Sequence, residues 1–583
     1  MTASAGNPAS EPSAGSRARD GLRRALPAIV AAIPLVWLVV VPLAILALSA
    51  FKPTGFLLDP GFTLEHFVTT YSDPGLWRLI ARTLLFACGS AIMALVLGTA
   101  LAFVVERTDL SGRSALRLAL LLPMGVPPFL LAIGWTMLLS PRSGTLNVAL
   151  MGLFGLSAAP FDIYSMTGMI FVEGLALTPS AFLVIAPALR NFDATLEEAA
   201  QMAGAGALAT QVRIALPLLA PALAGTFAFL LIVGMMVFDI PGIIGLPARL
   251  PVLATHIYDL AHHGPTGIPE YGAMCAVALL TAAALIVLCL SYQRLMASTE
   301  RFVTVRGKAF RPTPYRLGGA APCVRALVLL YLVLAVVLPL GALAWTSLLP
   351  FMMPASLDAV RKLTLANHAA FLSDPALLRA VANSLVVGVV AATVVAALAL
   401  GISWVVIRTD ARGRRLLDLL AFLPLAMPGM LIGTALIYVY LLVRVAPVYG
   451  SIWIIAIAHI TVYLSFASRT LNAALAQLHA ELEEAARMSG AGRMAAISRI
   501  VVPLALPALG AVWLWVFAHS ARELSSALML QGVDNATVPT LLYSYWTQGQ
   551  PTRTAAVGVW LAFFMIALTV VTEGLQRLAR RGA

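Results

Sequence analysis

From Ala28 to Phe51 the chain carries no charged side chain, and apolar runs of this kind recur along its whole length. About 20 such residues suffice to take a helix across the hydrocarbon core of a bilayer. Twelve runs qualify, at roughly 28–50, 80–105, 115–139, 165–190, 217–240, 271–296, 324–349, 380–407, 416–442, 449–471, 504–530 and 555–575. They are apolar throughout and do not alternate, which selects helices over the strands of a barrel. The 583 residues are 60% hydrophobic and 11% charged, with a mean hydropathy of +0.92. A soluble domain has about 45–50% and about 25%, and so few charges cannot cover the surface of a water-soluble fold this long. The expected fold is all-α: a polytopic helical membrane protein with twelve transmembrane helices, solvated by membrane lipid.

The net charge of +12 would suit nucleic acid, but the Lys and Arg residues form no basic face. They gather in short clusters between apolar runs, as cytoplasmic loops do, so no nucleic-acid partner is expected. With the N-terminus in the cytoplasm, the cytoplasmic loops hold Arg107, Arg113 and Arg117, then Arg190 and Arg213. Next come Arg294, Arg301, Arg306, Lys308, Arg311, Arg316 and Arg325, then Arg408, Arg412, Arg414 and Arg415, then Arg469, Arg487, Arg493 and Arg499. The opposite side holds Lys52, Arg142, Arg249, Arg361, Lys362, Arg444 and Arg553. The bias predicts a multi-pass protein of a bacterial inner membrane with both termini cytoplasmic. Residues 1–24, rich in Ser, Ala, Gly and Pro, predict a disordered cytoplasmic tail. The first apolar run exceeds the about 7–15 residues of a signal peptide and reads as an uncleaved span. Cys88, Cys275, Cys289 and Cys323 have neither CxxC nor CxxH spacing and read as small apolar fillers.

The second half of the chain restates the first. Ser72-Asp73-Pro74, Arg78, Arg107-Thr108-Asp109, Gly112-Arg113, Pro123 and Pro127 each recur 301 residues later. Glu197-Glu198-Ala199-Ala200, Gly204-Ala205-Gly206, Pro217 and Pro221 each recur 286 residues later. Two constant offsets, changed once by a shorter loop, mark a duplication. Six spans per copy is an even number, so the copies share one orientation, and parallel repeats of this kind place a pathway at their interface. The expected organisation is a first unit at 25–296, a cytoplasmic linker at 297–323 and a second unit at 324–583.

Between the fourth and fifth spans of each unit lies a loop of fixed pattern, at 191–216 and 477–503. The first reads Glu198-Ala199-Ala200, three residues, Gly204, nine residues, then Ile214-x-Leu-Pro217; the second reads Glu484-Ala485-Ala486, three residues, Gly490, nine residues, then Ile500-x-Val-Pro503. Acidic residues among alanines begin a helix well, the glycines permit the positive φ of a reversal, and the proline opens the next helix. The product is a helix–turn–helix elbow outside the membrane. A dinucleotide-binding reading of Gly204-Ala205-Gly206 fails for want of a third glycine and a preceding strand. The pattern resembles the EAA loop of the binding-protein-dependent ATP-binding cassette importer permeases, in spacing and in place. The resemblance implies the type I importer permease fold as two parallel six-helix repeats. It implies as partners two separate ATPase subunits, docked by Glu198, Ala199, Ala200, Gly204, Glu484, Ala485, Ala486 and Gly490, and a periplasmic substrate-binding protein.

The chain lacks GxxxxGK[ST]; Gly307-Lys308 is followed by Ala309. No catalytic residue, cofactor or metal site is therefore expected, and ATP would be bound by the partners. Phe238-Asp239-Ile240-Pro241, Thr255-His256-Ile257-Tyr258, Arg522-Glu523-Leu524-Ser525 and Tyr543-Ser544-Tyr545-Trp546 resemble the iron(III)-type branch, with a related aminoethylphosphonate-type branch alongside. The implied cargo is iron(III) or a phosphonate such as 2-aminoethylphosphonate. Ionisable groups in spans are costly and often functional. Glu173 and His459 are equivalent, 286 apart, and Asp239, Arg522 and Glu523 fall in or just after the fifth spans. Two readings stand: they line the pathway, or they sit solvated or paired near the periplasmic interface. Pro123, Pro127, Pro128, Pro424 and Pro428 are expected to kink or break the third spans. Trp37, Trp77, Trp135 and Trp546 are expected as interface anchors, and His262-His263 as an incidental loop pair. A secondary transporter of parallel repeats is the rival function, though it has no use for paired elbows. A membrane-embedded enzyme would need clustered His, Cys or carboxylates at one depth, and the chain has only eight histidines.

Overall fold

The computed structural model describes residues 26–190, 202–204, 206, 213, 216–262, 269–299, 314–443, 447–479, 481–490 and 492–582. Among them the chain is helical, with one isolated bridge between Thr108 and Tyr315. Ten helices are long and apolar enough to cross a membrane: Leu26–Ser49, Pro74–Arg107, Met166–Arg190, Leu216–Met236, Tyr271–Arg294, Gly318–Ser347, Pro375–Arg408, Ile452–Gln477, Met494–Arg522 and Pro551–Thr572. Two bent pairs bring the total to twelve if each counts as one span. The order matches the twelve apolar runs, so these elements are numbered below as spans one to twelve, six per half.

Proline placement sets much of the local geometry. Asp73 and Asp374 cap the two 34-residue helices Pro74–Arg107 and Pro375–Arg408, accepting from Gly75 N and Ala376 N, with the proline at the first turn. At about 1.5 Å per residue each is about 51 Å long, well beyond the roughly 30 Å hydrocarbon core. In the first and seventh spans, Pro42 and Pro339 cannot donate to the preceding turn. The helix widens instead, and Val41 N reaches Val36 O and Leu338 N reaches Val333 O, five residues back.

The third and ninth spans, expected over 115–139 and 416–442 with kinks or breaks at their prolines, are each broken into two helices. Arg113–Gly125 meets Pro128–Leu139 at 88°, and Arg414–Ala426 meets Gly429–Leu442 at 109°. The residues before Pro127 and Pro428, Val126 and Met427, are extended, as a following proline requires. Each break is thus encoded by its proline, Pro127 or Pro428, rather than by flexibility.

The fourth and tenth spans are the most enclosed, two thirds of each being buried. The fourth packs along the second and the tenth along the eighth. Lipid tails are as apolar as leucine, so helix association here rests on close packing. At Gly98, a Cβ would come within 2.5 Å of Ala181. The halves also exchange arms: the first span lies on Gly429–Leu442, and the seventh on Pro128–Leu139. At that second crossing a Cβ on Gly134 would meet Pro339 O at 2.5 Å. Trp37 donates to Tyr440 Oη at 3.2 Å across the first crossing. Trp135, expected at an interface, is 3% exposed and stacks edge-on against Phe171, because Pro128–Leu139 is buried on every side. Cys275 and Cys289 are buried, and all four cysteines are free.

Candidate functional site

Two clusters of ionisable groups emerge, one beyond the ends of the eighth and tenth spans and one among the membrane-spanning helices. In the second half the tenth span ends at Gln477, and a short helix, Glu481–Met488, follows. Ser489 N closes it on Ala485 O at 3.0 Å, and Gly490 then takes φ +83°, a reversal that side chains other than glycine resist. Gly204 repeats the geometry with φ +87°. Glu198, Ala199 and Ala200 lie outside the described residues. Glu484 and Ala485 are exposed and Ala486 half-buried on this helix.

The neighbouring Glu483 turns the other way. Its Oε1 lies 3.4 Å from Arg408 Nε, at the end of the eighth span, and its Oε2 accepts from the Trp404 indole at 3.4 Å. Arg408 also donates to Leu475 O and Leu478 O at 2.8 and 2.6 Å. The elbow is therefore tied to the ends of both the eighth and tenth spans. Arg107, the repeat partner of Arg408, is likewise buried. On the outer surface of the two elbows, Met202 and Met488, again 286 apart, are 85% and 89% exposed. Neither the two methionines nor the anchoring role of Glu483 stands out from the sequence alone, although the 286-residue repeat contains all three positions.

Within the membrane the structure brings Glu173, Asp239, His459, Arg522 and Glu523 to one place between the halves. His459, 1% exposed, sets Nδ1 at 2.7 Å from Ser520 Oγ and Nε2 at 3.1 Å from Glu523 Oε2. The eleventh span stops at Arg522, and Glu523 caps the next short helix, accepting from Ser526 N, Ser526 Oγ and Ala527 N at 3.0, 2.7 and 3.2 Å. Arg522 donates to Met124 O in the other half. That carbonyl is free for a simple reason: its helical donor would be the amide of residue 128, which is a proline. Asp239 lies close enough to interact through charge with Glu173, and also with Arg522 and Glu523. Glu173 is 2% exposed, and its Oε2 and Asp239 Oδ1 have no hydrogen-bond partner among the described residues.

A cavity of about 320 Å³ reaches this cluster, with Met124, Leu183, Thr470, His519, Arg522 and Thr569 among its lining. It draws residues from both halves. Among the described residues no group of three or more His, Cys, Asp or Glu is arranged to hold a metal ion. His262 bonds Tyr258 O through Nδ1 at 2.9 Å and stacks on the Tyr258 ring; His263 lies outside the described residues.

On the face away from the elbows are two hollows related by the repeat. One, of about 480 Å³, is lined by Asp73, Arg78, Arg82, His256 and Glu270. The other, of about 320 Å³, is lined by Asp374, Tyr545 and Arg553. Burial pushes the Asp374 carboxyl up, but the Tyr545 hydroxyl at 2.8 Å, the Ala376 and Leu377 amides and the Arg553 charge outweigh it. The net result is an acid held below its ordinary range.

Residues 94–305 and 394–583 each match the family model for the binding-protein-dependent transport system inner membrane component. The ferric transport system permease protein FbpB of Actinobacillus pleuropneumoniae is 26% identical over 87% of this chain and 72% of its own. A putative ferric transport system permease protein, FbpB 1 of Haemophilus influenzae, is 27% identical over 78% of this chain and 71% of its own. The maltose/maltodextrin transport system permease protein MalF of Vibrio parahaemolyticus is 30% identical over 39% of this chain and 47% of its own.

Proposed function

Since the chain belongs to the family of binding-protein-dependent transport system inner membrane components, two copies of which it carries in tandem, we propose that it is the complete translocation unit of an ATP-driven importer. It is a multi-pass inner-membrane permease, and the cargo passes between its halves. Two separate ATPase subunits drive it through the elbows, with both termini on the ATPase side. The observation that carries this reading is the elbow Glu481–Met488, exposed at Glu484 and Met488 yet tied through Glu483 and Arg408 to the ends of two spans. Methionine is a flexible, polarizable side chain suited to a partner's groove, and a freely solvated connector has no reason to present one in each repeat.

Closure of the ATPases on ATP would push Glu481–Met488, and the ion pair would carry that movement into the eighth span. Glu198, Ala199, Ala200 and Gly204 are assigned the same task in the first half, opposite the second ATPase. The substrate-binding protein is assigned to the other face, where the charged hollows at Asp73 and Asp374 offer one contact per half. The chain supplies no nucleotide or cofactor site of its own in this reading. Iron(III) is the proposed cargo, on the likeness to ferric permeases along most of the chain. Arg522 at the cavity favours an anion such as 2-aminoethylphosphonate.

Proteoliposomes holding the permease with its ATPase and binding protein test the assignment. ATP-dependent uptake of iron(III) or 2-aminoethylphosphonate is expected, and Glu198→Ala with Glu484→Ala should abolish it while the permease remains in the membrane. Uptake driven by an ion gradient without ATP would overturn the reading in favour of a secondary transporter.

A further inference from the structure

The two halves place the same pair of positions at the cluster but fill them differently. In the second half the tenth span supplies His459, and the end of the eleventh supplies Glu523. In the first half the fourth span supplies Glu173, and the residues after the fifth supply Asp239. The offset is 286 for the first pair and 284 for the second.

In the second half every demand is met. Glu523 receives the Ser526 hydroxyl and amide, the Ala527 amide and the His459 imidazole. In the first half three of those four donors are lost or diverted. Gly242 stands where the second half has Ser526 and brings no hydroxyl, and Gly242 N is spent on Phe238 O at 2.7 Å. Glu173, where the second half has an imidazole, brings another acceptor. Each of these carboxyl groups consequently keeps a buried oxygen without a partner among the described residues. Groups buried in this way normally find a donor or a cation.

Charge points the same way. The cluster sets three acidic side chains, Glu173, Asp239 and Glu523, around the guanidinium of Arg522. Arg522 is also engaged with Met124 O.

We propose that Glu173 and Asp239 form a transient subsite for a hard metal cation on the pathway, and that the second half holds no counterpart because His459 permanently occupies that role. The inference rests on the reading that cargo passes between the halves, and it narrows the cargo to a cation. Carboxylate oxygens suit hard cations. Two ligands, fewer than a resident metal site needs, give the weak hold that a passing ion requires, since conduction demands binding loose enough to release.

The test uses the intact permease with its ATPase in lipid nanodiscs and terbium(III) as the probe, read by protein-sensitised luminescence. The wild type should show a saturable site. Glu173→Gln and Asp239→Asn should each weaken it by at least about tenfold, the smaller loss seen when even a ligand's supporting groups are disturbed. Glu173→His, which copies the second half, should also lose the site, so the test survives if Glu173→Gln fails to assemble. ATP hydrolysis by the same samples is measured in parallel. Coupled hydrolysis with terbium binding unchanged in all three variants, or absent from the wild type, overturns the subsite alone. Hydrolysis insensitive to the permease overturns the importer reading instead.

Discussion

Replacing Glu483 by glutamine should loosen the second elbow from the membrane helices while leaving its shape intact. The ion pair with Arg408 spans 3.4 Å, and the two side chains are only 18% and 8% exposed. At that distance and an effective dielectric constant of about 20, the attraction is about 5 kcal/mol before desolvation is subtracted. Stranding one member of a buried pair costs about 3–5 kcal/mol. Arg408 is not fully stranded, because the carbonyls of Leu475 and Leu478 stay within 2.8 and 2.6 Å, and glutamine can still accept from Trp404. The net loss should therefore be nearer that of one hydrogen bond to a charged group, about 1.5–3 kcal/mol. Expressed as lost coupling, that is roughly a ten- to hundredfold shift in how tightly elbow and span move together. The assay is cargo transported per ATP hydrolysed in proteoliposomes. The ratio should fall at least about fivefold in Glu483→Gln, with the ATPases still bound. Glu484→Gln, altered on the exposed face, should instead weaken ATPase association. A transport ratio in Glu483→Gln equal to that of the wild type would refute the lever argument.

Gly134→Ala should weaken the arm exchange between the halves, since its Cβ would press on the Pro339 carbonyl at 2.5 Å; overpacking of this kind costs about 1–3 kcal/mol, visible as a lower thermal midpoint in detergent, whereas Gly341→Ala on the same crossing helix meets open space and should be silent. Arg522→Gln removes the cationic donor to Met124 O and should raise leak through the reconstituted permease without ATP, measured as passive cargo efflux. Asp374 is held below its ordinary range by Tyr545 and the helix amides, so its stabilising effect is present above the unfolded pKa and lost as pH falls through the lower folded one. The gap in thermal midpoint between wild type and Asp374→Asn should accordingly be constant near neutrality and close as the pH drops below about 4, the ordinary aspartate range.

The ten long crossings were legible because a bilayer imposes one length and one polarity on every span, and runs such as Ala28–Phe51 have no other solution. The breaks at Pro127 and Pro428 were legible as events but not as angles, which depend on what the freed carbonyls find; Met124 O finds Arg522, almost 400 residues away. The duplication made Glu173 and His459 recognisable as equivalent positions. It could not reveal that one pair is satisfied and the other is not, since that turns on Gly242 standing in place of Ser526 and on where Gly242 N points. Trp135 was misplaced because an aromatic residue near a run's end reads as an anchor until the neighbouring half is seen to cover it. Glu483 and Glu484 are adjacent in sequence, but the helix aims them about 100° apart, and only the position of Arg408 decides which is anchored and which is free.

Single cysteines at positions 202 and 488, in a chain lacking the four native ones, probe the proposal most directly. A maleimide that cannot cross membranes should label Met202→Cys and Met488→Cys in inside-out vesicles and not in intact spheroplasts, and added ATPase subunits should protect both. Labelling from the periplasmic side, or labelling that the ATPases leave unchanged, would contradict the assignment of the twin elbows as the points where nucleotide hydrolysis takes hold of the permease.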